Sequence, residues 1–146
     1  HEPETHLIPK ILNSGNYASE KLKVYGHDYD TPDGTCIRDY VHVEDLAQAH
    51  LKALEFMQVN EGFSAFNLGN GNGFSVLEVI TACEHVLGKR VEYQFSDRRE
   101  GDPPVLIADS RKALAQLGWS PKYTSLESII MSAYFWHLNE SDFSLQ

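Results

Sequence analysis

Residues 98–103, Arg-Arg-Glu-Gly-Asp-Pro, put two guanidinium groups, a glycine and carboxylates into one polar loop. Arginine neutralises phosphate through a planar fork of donors, and a carboxylate accepts from ribose hydroxyls. The loop is therefore a recipe for holding a nucleoside diphosphate; a solvated loop closed by its own salt bridges is the alternative that composition offers. Arg38 is a second candidate, because it lies with Tyr40 just ahead of a helix start, where bidentate contact with a phosphate is available. Pairing with Asp39 or Asp45 would give it a merely structural role, and spacing alone does not separate the two readings. Two other patterns invite catalytic readings and fail. Tyr17 and Lys21 form Tyr-x-x-x-Lys, whose chemistry needs both side chains on one helical face; this copy follows Gly15 and precedes a strand, so a loop is expected and the match reads as coincidence. Gly69-Asn70-Gly71-Asn72-Gly73 follows a strand pattern as a dinucleotide fingerprint does, but Phe74 stands where Gly-x-Gly-x-x-Gly needs its last glycine.

The elements that must position these groups read as α/β. Thr5 caps a short helix through Leu12, which starts late because Pro9 lacks an N–H, and Gly15 closes it. Leu22 to Tyr25 is a strand, and Gly26 to Gly34 a loop ending in the turn Thr31-Pro32-Asp33-Gly34. Ile37 to Val43 is a short extended segment. Asp45 is expected as the N-cap of a helix over 45–58, with Leu46, Ala49, His50, Ala53, Leu54 and Met57 as its apolar stripe. Asn60-Glu61-Gly62 breaks that pattern, and Phe63 to Leu68 reads as a buried strand. Ser75 and Glu78 make a capping box for a helix with Val76, Val79, Ile80, Cys83 and Leu87 facing the core, ended by Gly88. Val91 to Phe95 is a strand, and Ser110 to Leu117 a short helix stopped by Gly118, with Trp119 packing behind it. Thr124 and Glu127 form a second capping box. It opens a terminal helix with Leu126, Ile129, Ile130, Ala133, Tyr134 and His137 on one side. The tail from Asn139 to Gln146 is polar and expected to fray. The sequence shows no internal repeat, low-complexity tract or linker.

A chain of 146 residues can bury one core, so a single domain over residues 1–146 is expected. The net charge of −9 argues against nucleic acid and anionic membrane surfaces as partners, but not against a small anionic ligand held by a few well-placed arginines. The histidines are scattered without a close ligand spacing, so no metal site is expected. Cys36 and Cys83 form no disulfide framework, which fits a reduced, cytoplasmic chain. No apolar run approaches a membrane span and no signal peptide is visible. The chain begins with His1 rather than Met, so a piece of a longer protein is expected.

The run Arg38-Asp39-Tyr40-Val41-His42-Val43-Glu44-Asp45-Leu46-Ala47-Gln48-Ala49-His50 resembles the signature of UDP-glucose 4-epimerases, a branch of the extended short-chain dehydrogenase/reductase family. Further blocks match in the family's order: Pro3-Glu4-Thr5-His6-Leu7-Ile8-Pro9, Asn67-Leu68-Gly69-Asn70-Gly71, and Arg98-Arg99-Glu100-Gly101-Asp102-Pro103. The likeness runs over nearly the whole chain and covers only the second half of such an enzyme. It implies an α/β fold: the substrate-binding C-terminal half of an extended short-chain dehydrogenase/reductase. Part of the Rossmann domain is kept (helix 45–58, strand 63–68), and the main NAD-binding portion is missing. Residues 36–69 would pack on that missing domain, and without it an apolar seam is exposed, which favours dimers, swapping or recruitment of the other half.

The resemblance also implies the chemistry. The intact enzyme inverts C4 of UDP-glucose or UDP-galactose with bound NAD, a homodimer in galactose metabolism. A Tyr acts as base on the 4-hydroxyl, hydride moves from C4 to the nicotinamide, and the keto sugar turns before hydride returns to its other face. Arg99 matches the arginine that holds the diphosphate, Asp102 the carboxylate on the uridine ribose, and Arg38 a second diphosphate contact; Arg98 matches a less defined position. His6, Leu7, Lys23, Tyr25, Val76 and Leu106 match positions around the UDP-sugar, with the backbone at Lys23 and Tyr25 beside the uracil. Leu106 stands where some members carry a Tyr that crowds the C2 substituent, so UDP-N-acetylhexosamines are expected to fit as well. The departures matter equally. No NAD loop and no catalytic Tyr-x-x-x-Lys lie in this part, so no catalytic or cofactor residue is expected here and these residues alone are expected to be inactive. The basic Gly-Arg pair usual before strand 22–25 is also lacking. A related NAD-dependent nucleotide-sugar dehydratase or decarboxylase, and a non-catalytic nucleotide-sugar-binding fragment, remain as alternatives.

Overall fold

A short parallel pair of strands forms the base of the larger core. In the computed structural model, which describes residues 5–13 and 21–143, β1 (Leu22–Tyr25) lies parallel to β4 (Tyr93–Ser96) with Val24 opposite Phe95. Val24 points inward and is buried while Lys23 points outward, as the period of two in a strand requires. Over Val24 pack α1 (Leu7–Asn13), α3 (Val76–Leu87) and α5 (Leu126–Phe143), burying Ile11, Val79, Cys83 and Ile130. A second sheet has the order β3-β2-β5: β2 (Ile37–Asp39) is antiparallel to β3 (Gly73–Ser75) and parallel to β5 (Val105–Leu106). The remaining helices, α2 (Val43–Met57) and α4 (Arg111–Leu117), pack together around Ala49, Ala113 and Trp119.

Several local expectations hold. The Ser75–Glu78 capping box closes in both directions, and Gly88 and Gly118 end their helices in the left-handed conformation. The 31–34 turn closes through the Gly34 N–H on the Thr31 carbonyl, and Trp119 is buried behind α4. Cys36 and Cys83 are free and buried, and burial pushes the Cys83 thiol up to about 12. The Tyr17–Lys21 pattern cannot be placed, because Tyr17 and Gly15 lie outside the described residues; Lys21 pairs with Glu92 at 3.2 Å. No described helix is long and apolar enough to cross a membrane.

Other expectations are corrected. The first helix starts late, at Leu7 as expected, but runs one residue past Leu12 to Asn13, and its expected stop at Gly15 lies outside the described residues. The extended segment ends at Asp39, and α2 begins at Val43, because His42 rather than Asp45 is the N-cap: its Nδ1 accepts from the Glu44 N–H at 3.1 Å. The Asp45 carboxylate is already committed to a distant segment, accepting from the N–H groups of Lys122 at 2.9 Å and Tyr123 at 3.0 Å. Residues 63–68 are not a strand and Phe63 is 95 % exposed; an extended segment becomes a strand only beside a partner, and among the described residues none is paired with it. The fourth strand spans 93–96 rather than 91–95, set by its register with β1. Ser125, not Thr124, caps α5, its hydroxyl accepting from the Ser128 N–H. That helix continues to Phe143, past the residue where fraying was expected to start.

Removing the Asp45 carboxylate as Asp45→Ala strips two backbone donors of their acceptor. It lowers stability by about 2 kcal/mol, read in a thermal melt as a fall in Tm of roughly 4–8 °C. A second expectation concerns acid. Burial alone raises the Asp33 carboxyl, but hydrogen bonds from the Ser75 and Thr35 hydroxyls and the Thr35 N–H outweigh it and hold Asp33 below the usual range. A depressed carboxyl stabilises the fold above its unfolded value and loses that contribution as pH falls through its folded value. The Tm gap between the protein and Asp33→Asn is therefore constant above about pH 4 and closes below it, which melts across a pH series read directly.

Candidate functional site

Loop 97–104 leaves β4 and crosses to β5, so it spans the ends of both sheets and carries Arg98, Arg99 and Asp102 with it. Its β4 end is fixed by the Gly26 N–H on the Ser96 carbonyl at 2.9 Å. Residues 99–102 then turn back on themselves, the Asp102 N–H reaching the Arg99 carbonyl at 3.2 Å with Gly101 at φ 77°. A glycine is required there because a side chain is strained at that dihedral.

The turn delivers Arg99 and Asp102 to different sheets. Arg99 lies over the Tyr25 ring, with Cζ 4.0 Å from the centroid, at the end of β1. Asp102 meets Arg38 on β2: Nη2 is 2.5 Å from Oδ1, and Arg38 Nη1 also donates to the Ile37 carbonyl at 2.7 Å. The Cys36 thiol faces the other Asp102 oxygen at 3.8 Å. The pair is partly exposed, at 22 % for the arginine side chain and 30 % for the aspartate, so an arriving anion can still reach the guanidinium. Leu106 is opposite Arg38 in the parallel register and is exposed. Val76 joins through its backbone, its N–H donating to the Cys36 carbonyl at 3.1 Å.

Arg38, Asp102, Arg99, Tyr25, Leu106 and Val76 are thus linked in one neighbourhood by direct contact, register or backbone bond. Lys23 is exposed on β1, one pleat from Tyr25. His6 and Leu7 stand at the start of α1, where Leu7 packs against the core formed with α3 and α5. The choice left open for Arg38 resolves against both local partners: its carboxylate is Asp102, far along the chain, rather than Asp39 or Asp45. Asp28 and Tyr29, which sequence reading passed over, also belong to the neighbourhood. The Asp28 carboxylate accepts from Arg98 Nε at 2.8 Å, and that guanidinium sits 4.3 Å above the Tyr29 ring. The hydrogen bond with Arg98 is the main reason that the Asp28 carboxyl is held below its usual range. No local signal pairs these residues, because the contact spans 70 positions.

The glycine-rich turn after residue 68 is not a phosphate loop. Its N–H groups at Asn70 (2.8 Å) and Gly71 (3.4 Å) are taken by the Asp39 carboxylate, so they are not available to an anion. Gly69 is needed for close approach, since a Cβ there would lie 2.4 Å from Asp39 Oδ2. This turn therefore does not fit the phosphates of a dinucleotide. Nor is Tyr40 an acid–base group near neutral pH, since burial raises it to about 12.

Comparison with known proteins gives the family of the chain. The family model described as GDP-mannose 4,6 dehydratase matches residues 2–132. The UDP-glucose 4-epimerase of Halalkalibacterium halodurans is 50 % identical over 137 residues, covering 94 % of this chain and 41 % of that protein. A crystal structure of a UDP-glucose 4-epimerase superposes with a TM-score of 0.90 at 47 % identity, covering 97 % of this chain and 43 % of that one. The epimerase of Stenotrophomonas maltophila, solved with bound NAD and formylated UDP-arabinopyranose, gives 0.89 at 38 % identity, over 97 % and 42 %. The chain thus spans about two-fifths of the length of the relatives it matches, and the matched part is their C-terminal portion. On the motifs, the fold and these likenesses together, the chain belongs to the GDP-mannose 4,6 dehydratase family and, within it, to the extended short-chain dehydrogenases/reductases related to UDP-glucose 4-epimerases.

Proposed function

We propose that this chain is the UDP-sugar-binding part of an NAD-dependent UDP-glucose 4-epimerase, which interconverts UDP-glucose and UDP-galactose. The observation that carries the reading is the turn 99–102, which sets Arg99 against Tyr25 and Asp102 against Arg38 on neighbouring sheets. In this reading Arg38 and Arg99 neutralise the diphosphate, Asp102 accepts from the ribose hydroxyls, and the uracil lies along the backbone of Lys23 and Tyr25. His6, Leu7, Val76 and Leu106 surround the sugar. Holding the nucleotide tightly while the hexose stays free to turn is what a 4-epimerase needs, because binding energy from the unreacting part positions the reacting carbon. NAD supplies the hydride chemistry from elsewhere in the protein; this chain orients the substrate and carries no reacting group. A dehydratase reading draws on the family's name, but the 50 % identity with an epimerase outweighs it.

The rest of the protein has a place to sit. Val43, Leu51, Leu54, Met57, Val59 and Phe63 are all more than half exposed along α2 and the segment after it. We assign residues 36–69 to the contact with the NAD-binding domain, in which residues 63–68 gain the strand partner they lack. A homodimer in the reducing cytoplasm is consistent with buried, unpaired Cys36 and Cys83.

Calorimetric titration of UDP tests the site. Arg99→Ala is expected to weaken UDP binding about tenfold or more, the loss of one charge-assisted phosphate contact; binding unchanged by Arg99→Ala would overturn the assignment. Leu106 tests the breadth of the sugar pocket. In the complete enzyme, Leu106→Tyr is expected to reduce turnover of UDP-N-acetylglucosamine by about tenfold or more while sparing UDP-glucose. Equal effects on the two substrates would remove Leu106 from specificity.

A further inference from the structure

The Arg98 side chain is 49 % exposed, yet its guanidinium makes three contacts with the protein. Its Nε donates to Asp28 Oδ1 at 2.8 Å, its Nη2 donates to the Asp28 carbonyl at 2.6 Å, and its guanidinium plane lies 4.3 Å above Tyr29. The Tyr29 ring is itself buried, seated against the backbone of Gly26. Gly26 in turn holds the end of β4 through Ser96. Asp28, Tyr29 and Gly26 therefore form a fixed bed on the 26–34 loop, and Arg98 fastens loop 97–104 onto it. The next residue along is Arg99, and the turn to Asp102 begins there.

We propose that the Asp28–Tyr29–Arg98 clamp is a positioning device for the nucleotide site: Arg98 touches no ligand and acts by holding Arg99 over Tyr25 and the 99–102 turn against Arg38. The inference rests on the UDP reading above. Exposed ion pairs are weak one by one, but this one combines a carboxylate, a carbonyl and an aromatic face on a single guanidinium, whose planar fork loses little freedom on binding. Loop order gained before the ligand arrives does not have to be supplied by the ligand, so the clamp acts on affinity. The opposite possibility is that Arg98 is itself a phosphate ligand, with Asp28 merely competing for it. The two accounts make opposite predictions for Asp28.

The test is calorimetric titration of UDP into the protein and its Arg98→Ala, Arg98→Lys, Asp28→Asn, Arg99→Ala and Arg98→Ala/Arg99→Ala forms, with a thermal melt of each. A positioning clamp predicts that Arg98→Ala and Asp28→Asn each weaken UDP binding by about three- to tenfold. Arg98→Lys should recover part of the loss. Arg98→Ala should have little further effect once Arg99 is alanine, since neighbours acting through one another are not additive. If Asp28→Asn leaves UDP binding unchanged or tightens it, or if the arginine effects simply add, the clamp is overturned and Arg98 becomes a direct ligand. If the unsubstituted protein binds no UDP, the functional reading fails and the clamp falls with it; binding that the Asp28 variant leaves intact defeats the clamp alone.

Discussion

The Asp39 carboxylate holds two separate stretches of backbone at one point, through three N–H groups. It accepts from the N–H groups of Asn70 and Gly71 in the glycine-rich turn and of Ala108 beyond β5. The Asn70 and Ala108 donors are partly buried there, and a buried donor left unpaired is costly. Because side chains alternate along a strand, fixing Asp39 on one side of β2 presents its neighbour Arg38 on the other, towards Asp102. The placement of the phosphate-binding candidate thus depends on a carboxylate that never faces the ligand. The same contact explains why a glycine-rich turn after a strand pattern here is not a dinucleotide loop: its amides are already satisfied from inside.

A second carboxylate repeats the device at the other end of the same short run. Asp45 accepts from the N–H groups of Lys122 and Tyr123, while its own carbonyl accepts from the Trp119 indole at 2.9 Å. His42 stacks on the Tyr123 ring at 3.8 Å and caps α2, and the Tyr123 hydroxyl donates to Glu44 at 2.9 Å. The His42–Asp45 run is therefore a knot between α2 and the segment leading into α5. Asp39 and Asp45 are given to the protein's own backbone, whereas Arg38, in the same 38–50 run, pairs with Asp102. A motif that marks a family by chemistry is, for most of its length, structural.

The site is built across two sheets rather than within one. Arg99 belongs to the β1 side and Asp102 to the β2 side, and the turn between them is short enough to leave no slack. An open arrangement of this kind suits a ligand that bridges both sheets, with a diphosphate near the arginines and a ribose near the carboxylate. In the structure described here, Arg38 and Asp102 neutralise one another, so a ligand must share or exchange that pair. The acidic net charge of the chain is no obstacle, because the attraction at the site is set by a few guanidinium groups at contact distance while distant carboxylates are screened by salt.

Local chemistry was legible in the residues themselves. The Ser75–Glu78 box, the glycines that end α3 and α4, the buried Trp119 and the core face of α3 follow from rules that act within one turn of chain. What the sequence could not decide were choices between a local and a distant partner. Asp45 looked like a cap until Lys122 and Tyr123 claimed its oxygens, and Arg38 had adjacent carboxylates yet took Asp102, 64 positions away. Residues 63–68 have the composition of a strand, but no strand among the described residues pairs with them. The physical reason is common to all three. A side-chain oxygen or a backbone edge goes to whichever donor the folded chain brings closest, and only tertiary structure fixes that distance.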